Sequence, residues 1–400
     1  MNVVITGIGA ISAAGADLAE TLVAFRQGRV AAGTVSLFTT SLTHPVFEVK
    51  KIRNRASETE MRTVSLAACA VEEALLDAGL HSDLSRFRVG VCMGTTVASQ
   101  LNDMAFYRSY RGEESVSMEP VDRYLKGNLA EAIGRAVEAR GPSLTVVNAC
   151  SSGADAIGVA VSWLRDGVCD VAIAGGADEL SPVPLCGFGA LGILSDAICA
   201  PFARDRKGLN LGEGAGILVL ESEETARKRS VETPLRLSGY GSAADAFHLT
   251  APSPDGSGLT AALKRAMAEA EIDAGEVCFV NAHGTATPDN DKIEGSVFRR
   301  IFGGEVEFLS SKGFVGHTLG AAGGLEAAFT AAALREGWIP GSAGFVHEDP
   351  EISLSPVRTV TPISGRHAIS TSLAFGGNNA AIVISRSPTE ANGAQQRSGP

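Results

Sequence analysis

Short, almost continuously apolar runs alternate along the chain with longer segments whose apolar residues recur every three to four positions. Runs of the first kind fall at residues 3–5, 89–93, 145–147, 171–174 and 215–220, then at 235–237, 277–280, 308–311 and 380–384. Unbroken apolar runs of this length predict strands covered on both faces. Residues 18–25, 61–78, 128–137, 259–270 and 319–334 carry helical spacing. In residues 61–78, for example, Val64, Ala67, Ala68, Val71 and Leu75 fall on one face. Strands and helices in alternation predict an α/β fold.

The order occurs twice. The end of the first strand, Thr6 to Gly9, is matched by Gly239-Tyr240-Gly241, and Val91 to Thr95 by the strand that ends at His283-Gly284-Thr285. The run Gly-Ala-Gly-Ile-Leu-Val-Leu-Glu-Ser is matched by Asn-Asn-Ala-Ala-Ile-Val-Ile-Ser-Arg. Two related copies imply a duplicated architecture, with an N-terminal half at residues 1–234 and a C-terminal half at 235–387. Residues 97–127 lack clear periodicity, hold Tyr107, Tyr110 and Tyr124, and read as a cap inserted on the scaffold. Residues 182–208 read as a long Gly/Pro-rich loop. The polar residues 388–400 are expected to be disordered.

Chemistry gathers at strand ends. Thr145-Val146-Val147 runs through Asn148-Ala149 to Cys150, and helical spacing resumes at Ala156, Val159, Ala160, Trp163 and Leu164. Cys150 is thus expected where a strand turns into a helix, and the free N–H groups and positive dipole end of that helix favour a thiolate. A small buried Cys packing as a hydrophobe fits the same stretch. In the second half, His283 ends an apolar strand, Lys312 precedes a small-residue helix that His317 is expected to begin, and Leu373-Ala374-Phe375-Gly376-Gly377-Asn378-Asn379 forms a glycine-rich loop with free backbone donors. A helix N-terminus favours neutral imidazole at His317, and neutral imidazole can donate a hydrogen bond.

Composition narrows the choices. A net charge of −11 argues against nucleic acid as a partner. Seven scattered Cys without a CxxC pair argue against a disulfide framework or a zinc site and for a reducing, cytoplasmic setting. The first residues carry no basic segment and no cleavage pattern, and no run of about 18 apolar residues is free of charge, Gly clusters or Pro, so no membrane span is expected. The Gly7-x-Gly9 opening resembles a dinucleotide fingerprint only loosely, because no acidic residue follows at the required distance.

Taken together with Pro201-Phe202-x-x-Asp205-Arg206-x-Gly208 and Tyr240-Gly241-x-x-x-Asp245-Ala246-x-His248, these motifs resemble the elongating, Cys-His-His type of β-ketoacyl-acyl carrier protein synthase, in the thiolase-like superfamily. The resemblance covers nearly the whole chain. It implies a five-layer α-β-α-β-α fold, a homodimer or a heterodimer with a related ketosynthase, and an acyltransferase that condenses malonyl-carrier protein with an enzyme-bound acyl chain. No cofactor is implied beyond the phosphopantetheine of the carrier protein. The resemblance makes Cys150 the nucleophile and His283 and His317 the donors to the malonyl thioester. Lys312 is expected to pair with Glu294, supported by Asp291. The N–H groups of Cys150 and Phe375 are expected to form an oxyanion hole, Phe375 to act as a gate, and Thr285 and Thr287 to bind pantetheine. Asn281, Glu326 and Ser370 match positions that enclose a structural monovalent cation in some relatives.

The family loop usually has Gly before the gate Phe and Thr after the two glycines, where this chain has Ala374 and Asn378, and Leu373 replaces a usual aromatic. Acyl length and the choice between fatty acid, polyketide and polyene synthesis therefore do not carry over. A chain-length partner subunit is the alternative reading, and Cys150 argues against it. A thiolase would need a second Cys near the C-terminus, where none follows Cys278. Because an acidic enzyme repels an acidic carrier protein, a local basic patch is expected to serve docking. The leading candidates are Arg62, Lys126 and Arg206, with Arg53, Arg55, Arg123, Arg204 and Lys207 beside them.

Overall fold

The computed structural model describes residues 1–52, 61–98, 100–112, 115–352 and 354–387. The first half opens with β1 (Val3–Ser12), α1 (Leu18–Gln27), α2 (Arg62–Asp77) and β2 (Val89–Gly94). It continues through α3 (Gln100–Arg111), α4 (Glu119–Lys126) and α5 (Leu129–Ala136) to β3 (Ser143–Val146), α6 (Ser152–Arg165), β4 (Val171–Asp178), α7 (Pro182–Ala190), β5 (Gly214–Ser222) and α8 (Glu223–Lys228). The second half runs β6 (Leu235–Ala244), α9 (Ser257–Ala270), β7 (Val277–Asn281), α10 (Pro288–Phe302), β8 (Glu307–Leu309), α11 (Lys312–Val315) and α12 (Ala322–Glu336). A short hairpin of β9 (Trp338–Ile339) and β10 (Thr361–Pro362) precedes β11 (His367–Ala374) and β12 (Asn378–Arg386).

The strand order is β3-β2-β4-β5-β1-β6-β12-β11-β7-β8. It reads as one five-strand order and its repeat, joined only where Val3 and Val4 of β1 face Leu237 and Arg236 of β6. In each half the three outer strands are parallel (β3, β2, β4 and β8, β7, β11), and the two strands nearest the joint pair antiparallel. Helix α2 covers the outer face of the first half-sheet through Leu66, Ala67, Ala70 and Ala74, packed on Ile173, Ile217 and Val219. Helix α9 does the same for the second half, with Leu259, Leu263 and Ala266 against Val280, Ala381 and Val383. Helices α6 and α12 lie between the half-sheets in the largest core, which gives five layers. Their contact is close because it is built on glycine: a Cβ at Gly153 would come 2.6 Å from the Gly324 nitrogen. The small residues of 319–334 serve this packing, and every residue of α12 from Ala322 to Leu334 is buried.

Several expectations change in detail. Residues 97–127 form α3 and α4, yet Tyr107, Tyr110, Tyr124 and Leu125 are all more than half exposed, at 57, 63, 55 and 70%. Their apolar residues therefore make no core-facing stripe, and the periodicity is hidden. Residues 182–190 are helical although Pro-rich, with Pro182 at the permissive first turn. Strand β11 and helix α10, both unread in the sequence, complete the repeat. Residues 388–400, like Arg53 and Arg55, lie outside the described residues. Among the described residues no helix is long and apolar enough to cross a membrane.

Candidate active site

Cys150 follows β3 and stands two residues before α6, where Ala149 holds a left-handed φ of 48°. The turn is tied from within: Ser152 Oγ accepts the Asn148 N–H at 2.8 Å, and Ser151 Oγ donates to the Asn148 carbonyl at 2.9 Å. Ala149 is thus forced into a conformation that non-glycine residues seldom adopt, and the Cys150 side chain enters a cavity between the two halves. That cavity has a volume of about 200 Å³; its lining includes Cys150, His283, His317, Phe188, Leu373 and Phe375.

His317 lies in the link between α11 and a 3₁₀ turn over Leu319–Ala321 that leads into α12, so it precedes the helix by several residues and does not begin it. Its Nε2 is 3.1 Å from Cys150 Sγ, and its Nδ1 accepts the Leu319 N–H at 3.1 Å. The Leu319 bond fixes the tautomer: the imidazole proton sits on Nε2 and faces the sulfur. His283 is held the same way. Lys312 Nζ is 3.1 Å from His283 Nδ1 and donates to the His283 carbonyl at 2.5 Å, so the free N–H of this ring is also on Nε2. The two rings meet edge to face with centroids 5.2 Å apart.

Burial, together with the nearby Lys312 charge, holds both imidazoles well below their ordinary range, so both are neutral donors. Burial also pushes the Cys150 thiol up, to about 11, while the Lys312 charge and the Phe375 N–H pull it down. Cys150, His283 and His317 bring their Sγ and ring nitrogens within 4.8 Å of one another, a spacing that would also suit a metal ion. The tautomers oppose that use, because Nε2 of each ring carries a proton and has no lone pair to offer. What the arrangement can do is donate two hydrogen bonds to an oxygen placed beside a sulfur nucleophile.

Family models for the beta-ketoacyl synthase N-terminal domain and C-terminal domain match residues 1–226 and 236–346. The chain belongs to the beta-ketoacyl synthase family. It is 33% identical to 3-oxoacyl-[acyl-carrier-protein] synthase 2 of Staphylococcus aureus strain N315, over 96% of this chain and 98% of the relative. It is 34% identical to nodulation protein E of Rhizobium sp. strain N33, at the same coverage. Among solved structures it is similar to the ishigamide ketosynthase/chain length factor, at TM-score 0.92 and 30% identity over 97% of this chain and 99% of the other. A beta-ketoacyl synthase from Burkholderia phymatum STM815 gives TM-score 0.87 and 30% identity over 97% and 100%. The protein is therefore a thiolase-like ketosynthase, an acyltransferase of the condensing type.

The remaining ketosynthase positions do not all lie where the sequence suggests. Lys312 pairs with Glu326 on α12, not with Glu294. Glu294, buried on α10, instead accepts the N–H groups of His283 and Gly284 at 2.7 and 2.8 Å and the Thr371 hydroxyl at 2.8 Å. It thereby shapes the backbone of the His283 turn. Burial raises both carboxylates to about 7, with the Lys312 charge opposing the rise at Glu326. Asp291 pins the same region, accepting from the Phe202 N–H at 2.7 Å and the Ala286 N–H at 3.2 Å. Thr285 and Thr287 share a 2.9 Å hydrogen bond and line the cavity with Pro288 and Asn290. Phe375 stacks on Phe188 with centroids 5.5 Å apart.

Asn281, Glu326 and Ser370 do come together. Ser370 faces Asn281 across the β11–β7 pairing, and Asn281 Nδ2 donates to the Glu326 carbonyl at 3.1 Å. Asn281 Oδ1 and Glu326 Oε2 are buried acceptor oxygens without a protein partner. That donor set fits a hard monovalent cation.

Two of the leading docking candidates are not available. Arg62 forms a buried pair with both oxygens of Glu213 and donates to the Val49 carbonyl. The Arg206 side chain is 5% exposed, pairs with Asp349 and donates to the Pro288 carbonyl at the cavity rim. Both side chains are consumed in fastening loops. Lys126 is exposed, as are Arg204 and Lys207 on the segment that Arg206 and the Gly208 N–H bind to residues 286–288. Sequence reasoning also passed over Asp178 at the end of β4. This buried carboxylate accepts the N–H groups of Thr96, Val97 and Gly320 and so ties the two halves beside the cavity. An acidic residue closing the apolar run Val171–Ala177 was the available signal.

Proposed function

We propose that this ketosynthase performs the decarboxylative Claisen condensation of malonyl-carrier protein with an acyl chain held on Cys150, in fatty acid or polyketide synthesis. The observation that carries this reading is the pair of neutral imidazoles whose Nε2 protons converge beside the Cys150 sulfur. In the first half-reaction the Cys150 thiolate attacks the acyl thioester, and the pantetheine thiolate departs. The α6 N-terminus, Lys312 and the His317 N–H favour the thiolate against the cost of burial. In the second, malonyl thioester enters along Thr285 and Thr287. His283 and His317 donate to its carbonyl oxygen, where negative charge develops as CO₂ leaves. The enolate carbon attacks the acyl-Cys carbonyl, whose oxygen is received by the N–H groups of Cys150 and Phe375. Collapse expels the Cys150 thiolate and leaves β-ketoacyl-carrier protein.

Lys312, paired with Glu326, holds His283 in its donating tautomer. Glu294 and Asp291 hold the backbone of the His283 loop. Asn281, Glu326 and Ser370 would hold a monovalent cation whose part is charge balance, away from the reacting atoms. The reaction needs no cofactor besides the phosphopantetheine of the carrier protein. Docking falls to Arg204 and Lys207 at the rim, with Lys126. The similarity to a ketosynthase/chain length factor and to a ketosynthase in complex with its chain length factor supports a dimer, with itself or with a related subunit. Cys150 supports the active role in such a pair over the chain-length role. A cytoplasmic location accords with seven free cysteines and an acyl-carrier substrate.

The test is to incubate the enzyme with octanoyl-carrier protein, then with malonyl-carrier protein, following the protein mass and the product. An octanoyl adduct on Cys150 that disappears as β-ketodecanoyl product forms is expected. An adduct on another residue, or release of the chain by hydrolysis alone, would overturn the reading.

A further inference from the structure

The turn that carries Phe375 ends at Asn378, whose side chain makes a contact with no part in the scheme above. Asn378 Nδ2 donates to Asn148 Oδ1 at 2.6 Å, reaching from the start of β12 to the residue two before the nucleophile. The Asn148 amide cannot turn over, because its own Nδ2 donates to Asp155 Oδ2 at 2.5 Å. Asp155, buried in the first turn of α6, also takes the Ser151 hydroxyl at 2.8 Å and the Tyr240 hydroxyl at 2.6 Å. Burial, reinforced by the Asp155 charge, pushes the Tyr240 hydroxyl well above its ordinary range, which keeps it a donor. The Tyr240 ring is wedged against α6: a Cβ at Gly158 would lie 2.5 Å from its Cε1. Every hydrogen bond in the series from Tyr240 through Asp155 and Asn148 to Asn378 therefore has one allowed direction, and the series ends on the loop.

That loop has two tasks in the proposed reaction. It must let an acyl chain reach Cys150 past Phe375, which lines the Cys150 cavity in its stack on Phe188. It must then present the Phe375 N–H to the acyl-Cys oxygen. Gly376 and Gly377, at φ 87° and 80°, supply the freedom to move. Backbone bonds from the Gly376 N–H to the Leu249 carbonyl and from the Asp245 N–H to the Gly377 carbonyl tie the turn to residues 245–249. The Asn378 amide ties it to the nucleophile segment.

We propose that Asn148 and Asn378 form a latch that holds the Phe375 turn in the closed position and thereby divides the catalytic effort between the two half-reactions. They are positioning residues: they act through the Phe375 N–H and ring. The inference rests on the reading of Cys150 as the acyl carrier. Breaking the latch eases entry of the acyl chain and loosens the oxyanion donor needed for condensation.

The experiment uses the full-length enzyme and times the half-reactions separately. Acylation of Cys150 by octanoyl-carrier protein is read from the protein mass, and release of β-ketoacyl product from pre-acylated enzyme follows malonyl-carrier protein addition. Asn378→Asp keeps the size of the side chain and removes the donor; Asn378→Ala removes the side chain and serves if the first variant does not fold. Both are expected to slow condensation roughly three- to tenfold, the loss of one directed hydrogen bond, while acylation is unchanged or faster. Asn148→Ala should shift the ratio the same way, and the Asn148→Ala/Asn378→Ala double variant should add little beyond either single change. A wild-type ratio in the Asn378 variants, equal slowing of both steps, or additivity in the double variant would overturn the latch alone. A wild-type enzyme not acylated at Cys150 would overturn the reaction reading and the latch with it.

Discussion

The two halves of the molecule share a strand order and differ in what they place at corresponding strand ends. In the first half the turn after β2 carries Thr95 and Thr96, and its N–H groups are capped by Asp178 from the end of β4. In the second half the turn after β7 carries His283, and its N–H groups are capped by Glu294 from α10. Both caps are fully buried, and burial raises them, Asp178 to about 6 and Glu294 to about 7. The helix that follows differs likewise: Cys150 precedes α6 and His317 approaches α12. One half thus supplies the nucleophile and the other both imidazoles, and neither half holds the reactive set. The comparison teaches that the repeat fixes where backbone ends converge. The chemistry depends on which few residues depart from the repeat there.

The sharpest way to break this division is at the nucleophile. Cys150→Ser should lower condensation by about 10³-fold or more, because serine lacks the thiolate population. The adduct of a thiol-directed epoxide should also vanish from the intact protein mass. Labelling that persists on the other cysteines would refute the assignment.

On the other half, His283→Ala and His317→Ala should each cost condensation about 10²–10³-fold and acylation much less, since the donors serve the enolate. Equal loss in both half-reactions would instead make the histidines activators of Cys150.

The support behind His283 can be sharpened by contrast. Lys312→Ala leaves the Glu326 carboxylate buried without its partner and should lower stability by about 3–5 kcal/mol, seen in chemical denaturation. Glu294→Gln keeps the Thr371 acceptor and should cost less. If Lys312→Ala left stability within about 1 kcal/mol of wild type, the assignment of Glu326 as its buried partner would fail.

The histidines also predict a pH dependence. Both imidazoles have depressed folded values, so their stability contribution is present above the unfolded value of about 6.5 and is lost as pH falls below it. Glu294 and Glu326 have raised folded values and act in the opposite sense as pH falls from about 7 toward 4.5. The histidine share is isolated by difference. Between pH 6 and 5, stability of His317→Ala should fall less steeply than wild type by up to about 1.4 kcal/mol per pH unit. Parallel curves would mean that His317 is charged in the fold.

The smallest effect is expected at the rim. Arg204→Glu/Lys207→Glu should raise the apparent KM for carrier protein severalfold at low salt and leave turnover of a small acyl-pantetheine nearly unchanged. An unchanged KM would remove this rim from the docking surface.

The duplicated α/β plan was legible in local pattern, in apolar runs that end at a polar residue and small residues that open a helix. The family and the choice of Cys150, His283, Lys312 and His317 came from the resemblance of their motifs taken together. Tertiary structure alone decided the pairings. Glu294 and Glu326 are both acidic residues near a catalytic histidine in the chain, and only the packing of α12 between the half-sheets brings Glu326 to Lys312. Arg62 and Arg206 look like surface charges in a list of residues, yet Glu213 and Asp349, distant in sequence, bury them. Strand β11 went unread because Ser370, Thr371 and Ser372 break its apolar run; all three are buried, and the Thr371 hydroxyl donates to Glu294. Residue type and spacing report what a segment prefers on its own. The identity of a partner depends on which segments of the two halves meet, and that is a property of the whole fold.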